Sequence, residues 1–340
     1  MKKLFLASFF VLVLIFGCID FGEKPITHNV TNKTTVVIKV EPQKNATIIT
    51  NKSEEEEEKP PEKEGLTYSY EPMANLGIYF IDACDYENNK QASAILIKKE
   101  DFDMLIDAGS ANSVGRVFDF LKSRGVDDIE VFVSTAEDEG KYGGMQKIAE
   151  EFKIEEFWWS GQATTTSYKE AVDFVKQRAK KTIEVSQGYN RDLNGIVVEV
   201  LNPEKKTADI YNDAIVLLLT DRGKKTIILS NVKGGGQGNI LNKYKEKILK
   251  PDFMEAPYYG LGAGTSAIGI FLDGVKPKNV IVEGCEEGRE KTRTPFFILL
   301  NQYKIDYWET YKKGTIRAII STQQLTSGVN ATTTAISSMQ

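Results

Sequence analysis

The segment Met104-Leu-Ile-Asp-Ala-Gly109 is an apolar run that ends in an aspartate and a glycine, which is typical of a buried strand entering a tight turn. Before it, Ala92 to Lys98 is also strand-like, and the turn-like Lys99-Glu-Asp101 between the two predicts a hairpin. After it, Val114 to Arg124 has apolar residues at helical spacing and is followed by a glycine. Strand-like and helix-like segments then alternate. An early hairpin followed by such alternation predicts an α/β sandwich with two mixed sheets.

The charge balance bears on the class of partner. Hydrophobic residues make up 41% and charged residues 27% of the 340 residues, as in a globular protein. Residues 66–340 contain 34 lysines and arginines against 38 aspartates and glutamates, a net charge of −4. Proteins that bind the phosphate backbone usually carry an excess of basic residues. We therefore do not expect direct nucleic-acid binding.

Residues 1–17 have the layout of an export signal. Two lysines precede the apolar run Leu4 to Phe16, which is shorter than the roughly 20 residues that a membrane-spanning helix needs. The run ends at Gly17-Cys18, which resembles a lipobox, in which the cysteine becomes the lipidated N-terminus. An uncleaved anchor with an incidental cysteine is the alternative. In either case we expect the chain on the extracellular face of the membrane. If the segment is a lipobox, a lipid on Cys18 provides the anchor.

Residues 18–65 have the composition of an acidic stalk rich in Thr and Asn, with five consecutive glutamates at 54–58. Self-repelling charge and proline keep such a segment extended. Residues 66–325 form the predicted domain, and residues 326–340 a flexible Ser/Thr-rich tail. Possible glycosylation sites fall only outside the domain, at Asn29, Asn32, Asn45, Asn51 and Asn330. Chance occurrence in Asn/Thr-rich sequence is the alternative.

Five segments of the predicted domain resemble the extracellular domain of ComEC-type competence proteins, which has the metallo-β-lactamase fold. The segments are Leu76-Gly-Ile-Tyr-Phe-Ile-Asp82, Met104-Leu-Ile-Asp-Ala-Gly109, the helix Val117 to Val126, Tyr211-Asn-Asp-Ala-Ile-Val-Leu-Leu-Leu219 and Val275-Lys-Pro-Lys-Asn-Val-Ile-Val282. Each is short, but together they follow the family's order over most of residues 75–322. The resemblance implies an αββα sandwich with two mixed sheets.

The family's metal-binding signature, Thr-His-x-His-x-Asp-His-x-Gly-Gly, corresponds here to Thr135-Ala-Glu-Asp-Glu-Gly-Lys-Tyr-Gly-Gly144. The flanking Thr135 and Gly143-Gly144 of the signature are kept, but the metal-ligand positions within it and further along the chain hold other residues. These degenerate ligand positions are Ala136, Asp138, Gly140, Lys141, Tyr258, Tyr259 and Thr292. The one histidine of the chain, His28, lies in the predicted stalk. None of these side chains replaces imidazole at a zinc site, and the ammonium group of Lys141 would repel a divalent cation. The resemblance therefore implies a metal-hydrolase fold that has lost its metals and binds no cofactor.

The acidic residues near this loop leave an alternative open. They could form an oxygen-ligand site for calcium or magnesium. Alternatively, Asp107 could hold backbone amides at a strand end while the loop acids are solvated. The residues concerned are Asp107, Glu137, Asp138 and Glu139.

Two other features also have a functional and a structural interpretation. Glycines 234–236 and Gly238 suggest a phosphate-binding loop, but their spacing matches neither the Walker motif nor the dinucleotide motif. A flexible loop before a helix is the alternative. Tyr142, Tyr258 and Tyr259 could line a shallow aromatic pocket, or they could pack in the ordinary way.

Cys84 and Cys285 each follow a predicted strand, and the resemblance places both turns at the same edge of the fold. An oxidising exterior then favours a Cys84–Cys285 disulfide, with two buried free thiols as the alternative.

These observations predict a membrane-tethered extracellular lipoprotein whose domain is catalytically inactive and acts as a binding or scaffold module. Its partners would be the membrane and an unknown cell-surface protein. The resemblance implies a link to DNA uptake or to the handling of extracellular nucleic acid. The alternatives are a hydrolase or nuclease with a rebuilt oxygen-ligand metal site around Asp107 and Asp138, and a structural protein of the envelope.

Overall fold

The structure is a computed structural model that describes residues 68–261, 266–286, 293–324 and 330–339. The predicted export signal and stalk lie outside these residues. So do several of the predicted site residues, namely Cys18, Asn29, Asn32, Asn45, Asn51 and Thr292. Within the described ranges, no helix is both long enough and apolar enough to cross a membrane.

The described residues form strands β1 to β15 in chain order. These are β1 Leu76–Phe80, β2 Ile95–Lys99, β3 Phe102–Ile106, β4 Asp128–Val133, β5 Lys153–Trp159, β6 Lys181–Glu184, β7 Asn190–Leu193, β8 Ile196–Asn202, β9 Val216–Asp221, β10 Lys224–Ile228, β11 Phe253–Glu255, β12 Asn279–Val282, β13 Asp306–Glu309, β14 Thr315–Gln324 and β15 Asn330–Met339.

Helices α1 to α8 connect or follow these strands. They are α1 Val114–Ser123, α2 Glu139–Tyr142, α3 Met145–Glu151, α4 Thr166–Lys176, α5 Gly234–Ile248, α6 Ser266–Val275, α7 Thr294–Gln302 and α8 Thr310–Lys313, with a short 3-10 turn at Pro257–Gly260.

The strands form two mixed sheets. The first has the order β15-β14-β1-β2-β3-β4-β5-β6, and the second has the order β13-β12-β11-β10-β9-β8-β7. In the first sheet, β1, β2 and β3 pair antiparallel and β3 to β6 pair parallel. In the second, β7 to β10 pair antiparallel and β10 to β13 pair parallel. The antiparallel halves correspond to hairpins and the parallel halves to strand-helix-strand units.

Three apolar cores separate four layers. The central core lies between the sheets and includes Phe80, Ile97, Val200 and Leu217. One outer core packs the first sheet against helices that include α1, α3 and α4, and the other packs the second sheet against α5, α6 and α7. Full burial of one such side chain contributes roughly 1.5–3 kcal/mol. The predicted fold class, an αββα sandwich with two mixed sheets, is confirmed.

The prediction of a flexible tail over residues 326–340 is wrong for residues 330–339. These form β15, which begins at the sequon Asn330 and pairs antiparallel with β14 along ten residues. Ile336 packs against the central core and Met339 against the outer core of the first sheet. The Ser/Thr-rich composition concealed a strand because only these two large apolar side chains reach a core, while its threonines are β-branched and suit a strand.

The glycines from 234 to 238 do not form a loop before a helix, because α5 begins at Gly234. Close packing accounts for one of them. A Cβ atom at Gly236 would lie 2.4 Å from a methyl group of Val232, so only glycine fits there. The side chain of Asn212 accepts a hydrogen bond from the Gly236 N–H at 2.9 Å, which satisfies a backbone donor in the first turn.

Candidate functional site

Strand ends from both sheets meet at the edge where the resemblance places a metal site. Asp107 directly follows β3, Thr135 comes two residues after β4, and Ser230 two residues after β10. The hydroxyl of Thr135 lies 2.6 Å from Oδ2 of Asp107 and 2.5 Å from Oγ of Ser230, and its N–H donates to Oδ1 of Asp107 at 2.8 Å. Because Ser230 belongs to the second sheet, this chain of hydrogen bonds joins the two sheets.

The backbone at this edge is strained. Asp107, Ser230, Tyr258 and Tyr259 all have left-handed φ angles, of 60°, 50°, 48° and 56°. Such angles at non-glycine residues cost about 1–3 kcal/mol each and cluster at functional sites. Hydrogen bonds hold the strained backbone here, since the Ser230 N–H donates to a Glu255 carboxylate oxygen and the Tyr258 N–H donates to the Ser230 carbonyl, both at 2.7 Å. The edge therefore has the backbone geometry of a site.

The side chain of Lys141 lies at the centre of this edge. Its Nζ donates to Oδ2 of Asp107 at 3.0 Å and to Oε1 of Glu255 at 3.4 Å, and the side chain is only 1% exposed. Burial alone would lower the pKa of Lys141, but the negative charges of Asp107 and Glu255 raise it above its ordinary value. Lys141 is thus a permanent internal cation, placed among carboxylates as a metal ion would be.

Glu283 completes the group around Lys141. It follows β12 directly, is fully buried, and its carboxyl group interacts with the side chains of Glu255 and Ser93. Burial, reinforced by the nearby charge of Glu255, raises the pKa of Glu283 well above its ordinary value. Burial therefore favours the protonated form of Glu283.

Gly140, where the family has an aspartate ligand, has no room for a side chain. A Cβ atom there would lie 2.0 Å from the carbonyl oxygen of Gln91. The chain around Gln91 is held against this loop because the Ser93 N–H donates to the Gly140 carbonyl at 3.0 Å. Backbone therefore fills the space that a ligand side chain at position 140 would need.

Asp138, at another degenerate ligand position, has both carboxylate oxygens engaged. Oδ1 accepts from the Gly140 N–H at 2.9 Å and caps α2, and Oδ2 accepts from the side-chain amide of Asn231 at 2.7 Å. An N-terminal cap of this kind stabilises a helix by about 1 kcal/mol. The role of Asp138 in this structure is therefore to fix the loop.

The two neighbouring acids also bind backbone. Glu137 accepts hydrogen bonds from the N–H groups of Thr164 and Thr165, and Oε1 of Glu139 accepts from the Ala111 N–H at 3.1 Å. Like Asp107, these loop acids hold backbone amides, so the structure does not bring Asp107, Glu137, Asp138 and Glu139 together as ligands. Among the described residues, no group of three His, Cys, Asp or Glu side chains is arranged to hold a metal ion.

The residues at this edge do not fit the metal ions that the fold family implies. The ammonium group of Lys141 already occupies the space between the Asp107 and Glu255 carboxylates that could bind a cation. Ala136 and Gly140 supply no donor atom, and Tyr259 supplies a buried phenol whose pKa burial raises well above its ordinary value. Because zinc needs imidazole, thiolate or carboxylate donors, we derive no catalytic step through a metal.

The tyrosines do not line one common pocket. Tyr142 packs against Tyr168, with ring centroids 5.0 Å apart. The buried ring of Tyr259 lies 5.4 Å from Nζ of Lys141, a cation–π distance. Tyr258 is half-buried and packs against Tyr211. A cavity of about 50 Å³ beside Tyr258 is lined mostly by apolar side chains and has room for only a few atoms.

A disulfide and an arginine close this edge. The Sγ atoms of Cys84 and Cys285 lie 1.99 Å apart in a disulfide that joins the end of β1 in the first sheet to the end of β12 in the second. The fully buried Arg293 donates to the carbonyl oxygens of Tyr259 and Cys285, each at 2.6 Å, and to that of Glu283 at 3.1 Å. These contacts fix the backbone around the carboxylate group.

Sequence reasoning missed Glu255, Glu283 and Arg293. Glu255 is the last residue of β11, and Glu283 directly follows β12. The carboxyl ends of adjacent parallel strands lie at one edge of a sheet. A glutamate at the end of each of these two apolar strands could therefore have indicated that Glu255 and Glu283 lie together at the site. Arg293 had no such signal, because its contacts depend on the folded backbone.

Comparisons with known proteins concern the fold. No family model and no curated protein sequence matches this chain. Among solved structures, the metallo-β-lactamase fold protein YhfI from Bacillus subtilis is similar over 69% of this chain and 96% of its own, with a TM-score of 0.49 and 11% identity. Tm1679, a metal-dependent hydrolase of the β-lactamase superfamily, covers 71% of this chain and 98% of its own, with a TM-score of 0.47 and 11% identity.

A third similar structure is Igni18, a metallo hydrolase from the archaeon Ignicoccus hospitalis. The similarity covers 72% of this chain and 98% of Igni18, with a TM-score of 0.46 and 11% identity.

Proposed function

We propose that this protein is a lipid-anchored, extracellular binding or scaffold module, built on the fold of a metal-dependent hydrolase but without its catalysis. The observation that carries the proposal is the Lys141 ammonium group, buried 3.0 Å from Asp107 and 3.4 Å from Glu255. A metal ion and a fixed ammonium cannot share this position, since like charges repel strongly where water is excluded. The cluster therefore holds the fold together instead of activating water.

With the Lys141 ammonium in the position of a metal ion, the loops at this edge form a rigid surface that needs no metal. Where a protein does bind a structural metal, the binding contributes folding free energy. Here Lys141 bonds to carboxylates at the ends of β3 and β11, and the Cys84–Cys285 disulfide joins the ends of β1 and β12. A preformed surface of this kind binds a partner with little loss of conformational entropy.

An extracellular location fits the chemistry of the chain. The export-type segment 1–17 and the lipobox-like Gly17-Cys18 support attachment to the outer face of the membrane by a lipid on Cys18. Disulfides persist in oxidising compartments, so the Cys84–Cys285 bond is consistent with this location. The partner we propose is another protein of the cell surface.

The resemblance to ComEC-type domains supports a place near DNA uptake or extracellular nucleic-acid handling. The net charge of −4 over residues 66–340 opposes direct attraction to phosphate. We therefore propose that any such role acts through a protein partner.

The rival hypothesis is a hydrolase or nuclease with a rebuilt oxygen-ligand site around Asp107 and Asp138. It requires carboxylate oxygens free to bind a cation. Both oxygens of Asp138 instead accept hydrogen bonds, and Asp107 receives three, from the Thr135 N–H, the Thr135 hydroxyl and Lys141. The contacts thus favour the binding module.

Asp138→Ala separates the two hypotheses. The full-length protein and the variant would be assayed for nuclease and phosphodiesterase turnover, with and without added magnesium, calcium or zinc. Asp192→Ala is a matched control, because Asp192 also accepts a backbone N–H, that of Gly195 at 2.8 Å, but lies on β7. We expect no turnover in any of the three proteins. Turnover that Asp138→Ala abolishes and Asp192→Ala keeps would establish the rival.

A further inference from the structure

The edges of the two sheets differ in length and charge. Three of the edge strands, β6, β7 and β13, have four residues each and carry charged side chains. These charged residues are Lys181 and Glu184 on β6, Arg191 and Asp192 on β7, and Asp306 and Glu309 on β13. The fourth edge strand, β15, has ten residues and contains neither a charged residue nor a proline.

An unpaired edge strand offers its backbone N–H and C=O groups to another chain. Proteins usually blunt such edges by making them short, charged or proline-containing. β6, β7 and β13 follow that rule, whereas β15 is long, uncharged and free of proline, and within the part of the chain that the structure describes it is paired on one side only. In an antiparallel strand, alternate residues point both backbone groups to the same side, so about five residues of β15 present a donor and an acceptor away from β14.

β15 is also preformed and accessible. Its ten-residue register with β14 and the packing of Ile336 and Met339 hold it in place. The exposed side chains near its end, at Ala335, Ser337 and Ser338, are small and do not hinder the approach of another strand. Pairing with a second strand would therefore require little ordering of this chain.

We propose that β15 pairs with β15 of a second copy of this chain, antiparallel about a two-fold axis, so that two eight-stranded sheets become continuous. In such a symmetric pair each residue faces a residue of the same strand. Because β15 has no charge, no register places like charges opposite each other. A charged strand from another protein would find no complementary charge on β15.

One strand pair makes a small interface, below the roughly 1,600 Å² of a standard stable complex. The dimer is therefore weak in free solution. Attachment of two copies to one membrane, which rests on the proposed lipid anchor at Cys18, raises their effective concentration and favours the pair. The strand pairing itself does not depend on the anchor.

Cysteine cross-linking tests the pairing in the full-length chain. Single variants Ala335→Cys, Ser337→Cys and Ser338→Cys would be oxidised mildly, with Thr182→Cys on the charged edge β6 as the matched control. We expect disulfide-linked dimers from β15 at least tenfold above the Thr182→Cys yield, with one position cross-linking best, as a two-fold axis requires. Yields no higher than that control, or cross-links from β15 to a different protein only, would overturn the proposal.

The same cysteine variants, made with and without Cys18→Ser, separate pairing through β15 from the proposed lipid anchor at Cys18. If the anchor exists and β15 pairs, Cys18→Ser raises the protein concentration needed for cross-linking but keeps the position dependence. If the anchor proposal fails, the free thiol of Cys18 adds the same background of disulfide dimers to every variant. Cys18→Ser then removes this background, and the position dependence remains.

A charge variant gives an independent readout by analytical ultracentrifugation. Ser337→Lys brings two lysines near each other across the axis, and we expect at least tenfold weaker association. Thr182→Lys, which makes the same change at an exposed position on β6, should associate as the wild type does. Wild-type association of Ser337→Lys, or equal loss in both variants, would contradict pairing through β15.

Discussion

Nζ of Lys141 lies 3.0 Å from Oδ2 of Asp107, and each of these side chains is only 1% exposed. Asp107 ends a strand of the first sheet, and Lys141 also reaches Glu255 of the second sheet at 3.4 Å. Lys141 thus joins the two sheets through its contacts with Asp107 and Glu255. Removing one member of a buried ion pair is strongly destabilising, because the other charge is left without a partner or water.

Lys141→Met should therefore lower the free energy of unfolding by about 3–5 kcal/mol, because it leaves Asp107 and Glu255 buried without their cation. Chemical denaturation of the full-length protein measures this. Lys147→Met is the matched control, since Lys147 forms an exposed helical pair with Glu151 and such pairs contribute little to stability. Equal stability of Lys141→Met and wild type would show that the cluster does not hold the sheets together.

Gly140→Asp restores the residue that the resembled family has at this position, yet we expect it to destabilise the fold. Its Cβ atom would lie 2.0 Å from the Gln91 carbonyl, and overpacking of this kind costs about 1–3 kcal/mol or more. Gly115→Ala in α1 is the control, because no atom lies within 4 Å of its added Cβ and helix propensity favours alanine. Thermal unfolding that Gly140→Asp leaves unchanged would mean that the loop is not packed as described.

Loss of the Cys84–Cys285 disulfide should lower the stability by about 2–5 kcal/mol, because it links residues 201 apart in sequence and constrains the unfolded chain. Denaturation of the Cys84→Ser, Cys285→Ser double variant measures the effect. Reductant should shift the wild type toward the double variant and leave the variant unchanged. A variant as stable as the oxidised wild type would argue against a structural role for the bond.

The stability should fall as the pH rises from about 5 to about 8. Burial raises the pKa of Asp103 from 3.8 to about 7, against the charge of Lys98, and burial raises that of Glu130 from 4.5 to about 8. In the unfolded chain both groups ionise near their ordinary values, so the folded state binds more protons in this window and is stabilised at its acidic end.

The free energy of unfolding, measured at several pH values, checks this dependence. Glu130→Gln removes one of the two titrating groups and should flatten the slope between pH 5 and 8. Glu137→Gln is a control, because Glu137 binds backbone amides of an exposed loop. A slope that Glu130→Gln leaves unchanged would assign the pH dependence to other groups.

The fold could be predicted from the sequence because its strands are short, apolar and regularly separated by turn residues, as at Met104 to Gly109. β15 could not, since a Ser/Thr-rich segment becomes a strand only where β14 offers a pairing edge and the cores accept Ile336 and Met339. Pattern alone does not distinguish such a segment from a linker.

The candidate site was predictable only in part. The sequence placed a lysine at position 141 and indicated that it would repel a metal ion. That Lys141 instead binds carboxylates depends in part on Glu255, which lies more than a hundred residues away and meets it only when the two sheets pack. The acids at 137–139 were likewise identified, but their backbone partners, such as the Thr164 N–H, are fixed by tertiary structure.

The most direct test of the central claim is the metal-to-protein ratio of the purified full-length protein, determined by elemental analysis. We predict far less than one equivalent of any transition metal, calcium or magnesium, before and after incubation with excess metal and gel filtration, because the Lys141 ammonium already occupies the space between the Asp107 and Glu255 carboxylates. One or two tightly bound metal ions per chain, retained through gel filtration and absent from Asp138→Ala, would contradict the account and make this edge a metal site.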